Sequence, residues 1–399
     1  MAEAVTPRVE SQGPLDLGTK LVILSGGMLA AMAIMAITSV LPQIGLALAH
    51  KPGDGLLVKQ LVGAVGLAMI LGSSLVGFAV DRFGMRRVLI MSALIYVVAG
   101  SAGLYLNDLP TLLVSRLILG VAAAAIQVTC MTLVNTRLQG AERARWMGLH
   151  ISVAMSATII VHPIAGALGE IGWRWPFALY LLGLILIPAA LAQRHEVRPA
   201  GAVEIAQPKP ASGLSWLPFR YVFLALAIGS IVYMPMVQIP FLLHEKGVAR
   251  PTLIALVLTA DALAGAVMAL FYGRARTRLS ARGAFAISFS FTAAGLAIAG
   301  LASGVAGIIF GLVVYGFGVG WFVPNLMTSL SANLAPAYQG RGTGIVKAAH
   351  YAAAPLCVAL VEPLTRTYGS ASAMLAAGAL SLVCLAVVGS RRRLQVIPV

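Results

Sequence analysis

The chain has 399 residues, of which 59% are hydrophobic and only 10% are charged, and its mean hydropathy is +0.92. A water-soluble domain of this size needs far more polar surface than this composition supplies, so lipid is the expected solvent for most of the chain. The formal net charge of +15 would suggest a nucleic-acid partner in a soluble protein, but in a membrane protein each charge must first be assigned to one side of the bilayer.

Twelve apolar segments follow one another along the chain, separated by polar and turn residues. Lipid offers no hydrogen-bond partner to the backbone, so each segment must be a helix, and a helix needs roughly 20 residues to cross the hydrocarbon core. We therefore predict an all-α integral membrane protein with twelve transmembrane helices. The predicted helix cores are residues 21–49, 57–80, 88–106, 110–134, 146–170, 174–192, 219–244, 252–272, 283–301, 304–330, 342–362 and 371–389.

The longest polar interruption covers residues 193–217, is rich in Pro and Ala, and divides the twelve segments six and six. We predict that it is a cytosolic linker between two six-helix bundles. Pro163 precedes Glu170 by the same interval as Pro355 precedes Glu362, which indicates a duplication and hence two pseudo-symmetric halves. The predicted domains are a cytosolic tail at 1–19, a first bundle at 20–192, the linker, a second bundle at 218–390 and a cytosolic tail at 391–399.

With both termini placed inside, about three quarters of the 28 Lys and Arg residues fall on the cytoplasmic side of the predicted helices. This bias follows the positive-inside rule and predicts a multi-pass protein of the cell inner (plasma) membrane with both termini in the cytoplasm. Residues 1–18 lack the apolar core of a signal peptide. Topology thus explains most of the basic residues, and no nucleic-acid partner is needed.

The connection between the second and third segments reads Gly77-Phe-Ala-Val-Asp81-Arg82-Phe-Gly84-Met-Arg86-Arg87. It resembles the loop signature of the major facilitator superfamily, written G-x-L-a-D-r-x-G-r-k, and departs from it at Ala79 and Met85. The resemblance implies a carrier of two six-helix bundles, in which Asp81 contacts the start of the eleventh helix near Gly342 in the outward-open state and releases it in the inward-open state. The conformational-switch residues that the resemblance implies are Gly77, Asp81, Arg82, Gly84, Arg86 and Arg87.

The fourth segment contains Leu112-x-x-x-Arg116-x-x-x-Gly120, which is similar to the conserved-arginine motif of the twelve-span drug:proton antiporters in that superfamily. An arginine inside a span costs at least ~2.5 kcal/mol on insertion scales, so we expect Arg116 to face a polar cavity or a partner. Gln127 lies eleven residues further along on nearly the same helical face and extends a polar stripe. The alternative is that Arg116 reaches the outer interface by snorkelling.

Three kinds of ionisable side chain inside the segments are candidates for proton coupling. Asp261 is the only acid deep in any segment, and an isolated carboxylate in hydrocarbon is unfavourable, so we predict that it borders water or a cation and carries the proton. The alternative is a protonated packing aspartate. His162, and His350 with Lys347 on one face of the eleventh segment, are further candidates because histidine titrates near neutral pH. Either histidine is equally well explained as a packing residue.

Four polar and aromatic residues of the seventh and tenth segments are predicted to contact the solute. Tyr233 and Gln238, with Trp321 and Asn325, supply hydrogen bonds and an aromatic wall. The alternative for each is a bond to a neighbouring helix. Basic side chains outnumber Asp261 among all these candidates, so the path favours neutral or anionic solutes over cationic drugs.

The motifs of several enzyme and metal-binding classes are missing. The sequence has no Walker lysine, HExxH, paired CxxC or nucleophile elbow, so we expect no enzymatic activity, no metal and no cofactor. Gly316, Gly318 and Gly320 lie within an apolar run and are predicted to allow close helix packing instead of phosphate binding.

These observations predict a secondary active transporter of the major facilitator superfamily, which the resemblance implies works by alternating access. Its expected partners are a small amphipathic, neutral or anionic organic solute, protons and the lipid bilayer, and it is expected to be a monomer that exports the solute in exchange for protons. Two alternatives stay open. One is an importer or facilitator of an organic anion, and the other is a non-transporting membrane sensor with the same fold.

Overall fold

The computed structural model describes residues 15–193, 219–335 and 338–390, and within these ranges the chain is helical apart from short connections, with no β-strand. The predicted C-terminal tail and all of the predicted linker except Gln193 lie outside the described residues. We number the helical spans 1 to 12 in chain order. Their bounds are Leu17–Leu48, Asp54–Phe83, Met85–Leu104, Leu109–Arg137, Gly140–Ile171, Trp175–Leu191, Phe219–Glu245, Pro251–Arg278, Ala281–Leu301, Val305–Ser331, Gln339–Tyr368 and Ser370–Ser390.

The twelve predicted spans are confirmed, although one of them has an unusual geometry. Eleven contain helices long and apolar enough to cross a membrane, and span 6 is shorter. Its first part, Trp175–Ile185, is a 3-10 helix, and only Leu186–Leu191 is α-helical. A 3-10 helix rises about 2.0 Å per residue against 1.5 Å in an α-helix, so span 6 reaches about 31 Å, close to the hydrocarbon thickness.

Short polar side chains set the start of several spans. Asp16, Asp108 and Ser280 each precede a span, and each accepts a hydrogen bond from the backbone N–H three residues further on. Such caps satisfy N–H groups that the first helical turn leaves without partners. Hydrogen bonds from the side chain and backbone of Thr111 also hold the pKa of the exposed Asp108 carboxyl below its ordinary value.

The packing of the first six spans is repeated by the last six. Spans 2 and 4 pack closely, as do spans 8 and 10; spans 1 and 5 correspond to spans 7 and 11, and spans 3 and 6 to spans 9 and 12. The two bundles meet through span 2 against span 11 and span 5 against span 8. Adding six to each span number exchanges these two contacts, so the whole molecule has pseudo-twofold symmetry, as the duplicated Pro and Glu positions predict.

Glycines bring the spans of the second bundle into backbone contact. A Cβ on Gly316 would lie 2.4 Å from the Asp261 carbonyl oxygen, and one on Gly320 would lie 2.3 Å from that of Gly265, both on span 8. A Cβ on Gly318 would lie 2.5 Å from a backbone oxygen of span 9. The prediction that this glycine run serves helix packing is therefore confirmed.

Candidate functional site

The two bundles touch at one end of the molecule. We call the end where span 6 finishes and span 7 begins the linker end, and the opposite end the far end. At the far end, the Lys59 ammonium of span 2 lies 2.9 Å from a Glu362 carboxylate oxygen of span 11, and both residues are buried. Beside them the Gln60 amide donates to the Pro355 carbonyl oxygen at 2.9 Å. A Lys and a Glu that are both withdrawn from solvent therefore join the bundles.

The pseudo-symmetric contact between spans 5 and 8 uses the other carboxylate of the duplicated pair. One oxygen of Glu170 accepts from the backbone N–H of Thr252 at 3.3 Å and lies 3.4 Å from the Arg250 guanidinium. Pro251 packs against the backbone at Gly166 and Gly169. A glutamate at the far end of spans 5 and 11 thus contacts the far-end part of a span of the opposite bundle, span 8 or span 2, so two contacts close the far end.

The linker end has a different character. Asp81 at the end of span 2 is exposed, and its carboxylate has no hydrogen bond or ion pair with any residue that the structure describes. Gly84 has φ of +83°, a left-handed conformation that glycine adopts without strain, and so turns the chain from span 2 into span 3. Arg86 donates to the carbonyl of Leu191, which ties this loop to its own bundle. Gly342 packs against Leu334 of its own bundle.

Midway along the molecule, side chains of the two bundles face each other. The Gln127 side chain of span 4 lies close to the Tyr351 hydroxyl of span 11. The His350 ring lies 5.5 Å from the Tyr233 ring of span 7. Lys347 is exposed, and Gln127, His350 and Tyr351 are partly exposed, although spans 2, 5, 8 and 11 surround this region. These residues therefore border an opening between the bundles.

A buried histidine lies across this opening from Lys347. His150 of span 5 is close enough to Lys347 to interact with it electrostatically, and its Nδ1 lies 2.7 Å from the Ile23 carbonyl oxygen. One of the two residues comes from each bundle. The exposed Lys347 ammonium is therefore the basic group of this opening.

Asp261 lies on span 8, beside span 10. It is half-buried, and its carboxylate is close enough to interact electrostatically with the Tyr315 hydroxyl, which donates to the carbonyls of Ile231 and Val232 in span 7. No described Lys, Arg or His forms an ion pair with Asp261. An acid without a fixed cation can exchange a proton with water more readily than one held in an ion pair.

Buried polar atoms without partners lie around the 3-10 turn Thr38–Val40, which contacts spans 5, 7 and 8. His162 Nε2 lies 3.5 Å from the Thr38 hydroxyl, while His162 Nδ1 has no hydrogen-bond partner within the described ranges. Both polar atoms of the fully buried Gln238 side chain, and the Ser39 hydroxyl, are likewise unpaired there. Buried polar groups nearly always have partners, so such groups point to water, a solute or a second conformation.

Arg116 lies inside the first bundle. Its side chain is fully buried, and one terminal nitrogen donates to the carbonyls of Ala99 at 2.9 Å and Gly100 at 2.6 Å in span 3. The guanidinium carbon lies 5.0 Å from the ring centres of both Phe177 and Tyr180 in span 6. All these contacts are within one bundle, so the structure does not bring Arg116 together with Gln127 and Tyr351. A role for Arg116 in binding or coupling stays a prediction.

Trp321 and Asn325 form a bonded group within the second bundle. The Trp321 indole donates to the Met268 carbonyl at 2.8 Å, and the Asn325 amide donates to the Ala281 carbonyl at 2.9 Å. The Tyr272 hydroxyl donates to the Asn325 side-chain oxygen at 3.2 Å. Both polar groups thus already bond neighbouring helices, as the alternative to solute contact predicts, and their contact with a solute stays a prediction.

Sequence reasoning missed three features of this region. Tyr351 lies next to His350, and no motif distinguishes it. His150 falls in an amphipathic stretch that resembles a helix end. Lys59 was explained by topology alone, whereas it is buried against Glu362; the equal spacing of Pro163–Glu170 and Pro355–Glu362 was the available signal.

The molecule is therefore a polytopic helical membrane protein of two pseudo-symmetric bundles that enclose an opening reached from one end, the architecture of a secondary carrier. Its sequence matches the model of the Major Facilitator Superfamily at residues 23–248 and 221–395. The chain belongs to this superfamily, and it is a multi-pass membrane transporter and not an enzyme.

Relatives within the superfamily carry several kinds of small solute. The chain is 32% identical to the D-xylose transporter of Levilactobacillus brevis over 33% of its own length and 28% of that protein. It is 27% identical to the 3-(3-hydroxy-phenyl)propionate transporter of Escherichia coli K12 over 70% of each chain. The crystal structure of the nucleoside transporter NupG superposes with a TM-score of 0.78 at 14% identity, covering 95% of this chain and 100% of that one. The last similarity describes the fold alone.

Proposed function

We propose that this protein is a proton-coupled carrier of a small organic anion with an apolar or aromatic body, and that the structure is its inward-open state, with the linker end in the cytoplasm of the inner membrane and both termini on that side. The observation that carries the proposal is the basic opening between the bundles. Lys347 supplies positive charge, Gln127 and Tyr351 supply polar groups for hydrogen bonds, and Tyr233 supplies an aromatic surface.

An organic carboxylate fits these groups better than a cation does. A partly desolvated ammonium binds a carboxylate through a charge-assisted hydrogen bond, whereas it repels a cationic drug. The E. coli relative that aligns over 70% of both chains is named for an aromatic propionate, which has both a carboxylate and an apolar ring. We assign the carboxylate to Lys347 and the ring to Tyr233.

Proton coupling follows from the membrane potential. Moving one negative charge into a cell against 100 mV, negative inside, costs about 2.3 kcal/mol, so uptake of an anion requires at least one accompanying proton to be neutral. Asp261 is the group assigned to carry that proton, because it is half-buried and has no ion-pair partner among the described residues. His162 Nδ1 and the Gln238 side-chain amide, which are buried and have no partner among the described residues, extend the polar path toward the far end.

The experiment is transport by the full-length protein in liposomes with labelled 3-(3-hydroxyphenyl)propionate. An acidic exterior is expected to drive accumulation, and D-xylose, a neutral and more polar solute, is expected not to compete. Asp261→Asn should abolish accumulation driven by the pH gradient while counterflow of the same solute continues. Lys347→Gln should raise KM by about tenfold, the effect of losing one hydrogen bond to a charged group. The control is Lys246→Gln, at an exposed lysine in the connection after span 7, which should change neither KM nor accumulation.

Three outcomes would contradict this proposal. Equal coupling in Asp261→Asn would remove the proton role from that residue. Net movement of the solute only outward, from a neutral interior to an acidic exterior in exchange for protons, would mean export, the direction predicted from sequence. Absence of any flux, together with solute binding to the purified protein, would favour the sensor. A molar mass of one chain in detergent would support the expected monomer.

A further inference from the structure

A cavity of about 540 Å³ lies within the second bundle at its linker end, away from the opening between the bundles. It is bordered by the start of span 7, the connection between spans 8 and 9, and the ends of spans 10 and 12. Three arginines line it, namely Arg220, Arg276 and Arg282, and none of the described residues that line it is acidic. Three cations that share one cavity without an acid repel one another unless an anion joins them.

The hydrogen bonds of these arginines leave much of their donor capacity free. Arg220 donates to the Asn333 side-chain oxygen at 3.1 Å, and Arg276 donates to the Leu279 carbonyl. The Arg282 side chain has no hydrogen bond or ion pair with any other residue in the part of the chain described here. A guanidinium has five N–H donors, so a ligand with several acceptor oxygens can bind all three side chains.

Two further groups in the cavity also suit an anion. Ser280 and Ala281 bring the N-terminus of span 9 to its wall, where the helix dipole favours negative charge. Ser329 is 92% buried, and its hydroxyl, which has no partner within the described ranges, belongs to the lining. An unpaired buried hydroxyl is unfavourable unless a ligand or water completes it. The polar half of the cavity thus has both charge and an unused donor.

The remaining wall is apolar and comes from Leu224, Phe285, Val387 and Val388. Val387 of span 12 is 49% exposed, so the apolar side of the cavity is accessible from outside the bundle. A ligand that combines an anionic group bearing several acceptor oxygens with a hydrocarbon part fits such a lining. Basic pockets between helices near the membrane surface are typical binding sites of anionic lipid headgroups.

We propose that this cavity binds the phosphate group of an anionic phospholipid, with Arg276, Arg282 and Ser329 on the phosphate and the acyl chains beside span 12. The site is separate from the solute path, so the proposal holds whichever solute the protein carries and in whichever direction. Free phosphate has the same anionic chemistry, and the apolar wall is what distinguishes the lipid from it.

The test titrates the full-length protein in neutral detergent with short-chain phosphatidylglycerol, with short-chain phosphatidylcholine and with inorganic phosphate, and follows bound mass by native mass spectrometry and the shift in Tm. Phosphatidylglycerol is expected to bind and stabilise, and phosphatidylcholine, which has no net charge, to bind at least about tenfold more weakly. Binding of inorganic phosphate with equal effect would retain the anion site and identify a free anion as its ligand.

The variants locate the binding. Arg282→Gln and Arg276→Gln should each weaken phosphatidylglycerol binding by about tenfold or more. Arg274→Gln is the matched control, because Arg274 is an exposed arginine two residues from Arg276 that does not line the cavity. The Arg282 side chain makes no hydrogen bond or ion pair with the described residues, so Arg282→Gln is expected to fold. Ser329→Ala tests the unpaired hydroxyl with a minimal change in volume. Equal binding of the two lipids, or equal weakening by Arg274→Gln and Arg282→Gln, would overturn the proposal.

Discussion

Arg116 shows how a single charged residue is accommodated inside a helical bundle without an acid. One terminal nitrogen donates to the carbonyls of Ala99 and Gly100, where span 3 changes from α-helix to a 3-10 turn and the carbonyl end of the helix dipole is negative. The faces of Phe177 and Tyr180, each at 5.0 Å, add cation–π attraction. Two carbonyls and two rings thus stabilise a buried positive charge that links spans 3, 4 and 6.

A lysine cannot replace these interactions. Lysine presents a compact ammonium instead of a planar fork, so it cannot reach both carbonyls and lie against both rings together. We expect Arg116→Lys to lower the free energy of unfolding by roughly 1 to 3 kcal/mol, measured by denaturant or thermal unfolding in detergent. Arg82→Lys, at an exposed position of the loop after span 2, should have little effect. An unchanged stability of Arg116→Lys, combined with lost transport, would instead assign Arg116 to the solute path.

At the residue scale, the sequence could name the unusual side chains but not their partners. Arg116 and Gln127 share nearly one helical face, yet they are about 16 Å apart along the span. Arg116 ends within the first bundle, whereas Gln127 reaches Tyr351 of the second. The tilt of the bundles decides which of two residues on one helical face meets the other bundle. The spacing of residues within a single helix does not contain that information.

Among the helical elements, the backbone contacts of span 10 are the tightest constraint on the second bundle. At Gly316 and Gly320 this span lies so close to span 8 that backbone oxygens of span 8 occupy the space that a Cβ atom would need. Such contacts allow dispersion and weak hydrogen bonds where lipid provides no hydrophobic driving force for helix association. The position of Asp261 depends on them, because its own carbonyl is the atom that Gly316 touches.

Adding a methyl group at this contact should separate the two spans. Gly316→Ala places a Cβ 2.4 Å from a backbone oxygen, which cannot rotate away, so we expect a loss of about 1 to 3 kcal/mol in unfolding free energy. Gly273→Ala is the matched control on span 8, since a Cβ there meets nothing within 4 Å and alanine favours the helix by about 0.5 to 1 kcal/mol. Thermal unfolding of both variants measures the difference as a lower Tm for Gly316→Ala than for Gly273→Ala. Equal Tm values for the two variants would refute the proposed backbone contact.

Element positions could be predicted well because each span must satisfy its own backbone hydrogen bonds in lipid, so apolar length alone indicates a helix. The geometry within spans could not. Span 6 is mostly a 3-10 helix, and span 1 is interrupted at Thr38–Val40, because packing against neighbours and not local sequence decides these changes. The interruption of span 1 is also where the unpaired atoms of His162 and Gln238 gather, so the least predictable backbone is at a candidate site.

At the scale of the whole molecule, two glutamates close the far end in a pseudo-symmetric way. Glu362 contacts Lys59 of span 2 and Glu170 contacts the start of span 8, so each bundle contributes one carboxylate to the other. The two contacts differ in burial. Lys59 and Glu362 are nearly inaccessible to solvent, whereas Arg250 is largely exposed, and exposed ion pairs contribute little because solvent screens them. The closed far end therefore depends mainly on the contact between spans 2 and 11.

Breaking that contact should shift the population of conformations more than it changes folding within either bundle. Glu362→Gln leaves the Lys59 ammonium buried without its counter-charge, and this penalty disappears when the bundles separate at the far end and water reaches the lysine. We expect faster hydrogen exchange at the far ends of spans 2 and 11, and slower exchange at the linker ends, where the bundles then approach. Arg366→Ala is the matched control, because Arg366 lies on the same span as Glu362 and its guanidinium, 3.0 Å from that carboxylate, does not join the bundles. The change in exchange rate for Arg250→Ala should lie between those of Glu362→Gln and Arg366→Ala. Uniformly faster exchange along all spans would mean that Glu362→Gln destabilises the fold without moving one bundle against the other, and would refute a role for Lys59 and Glu362 in setting which end is open.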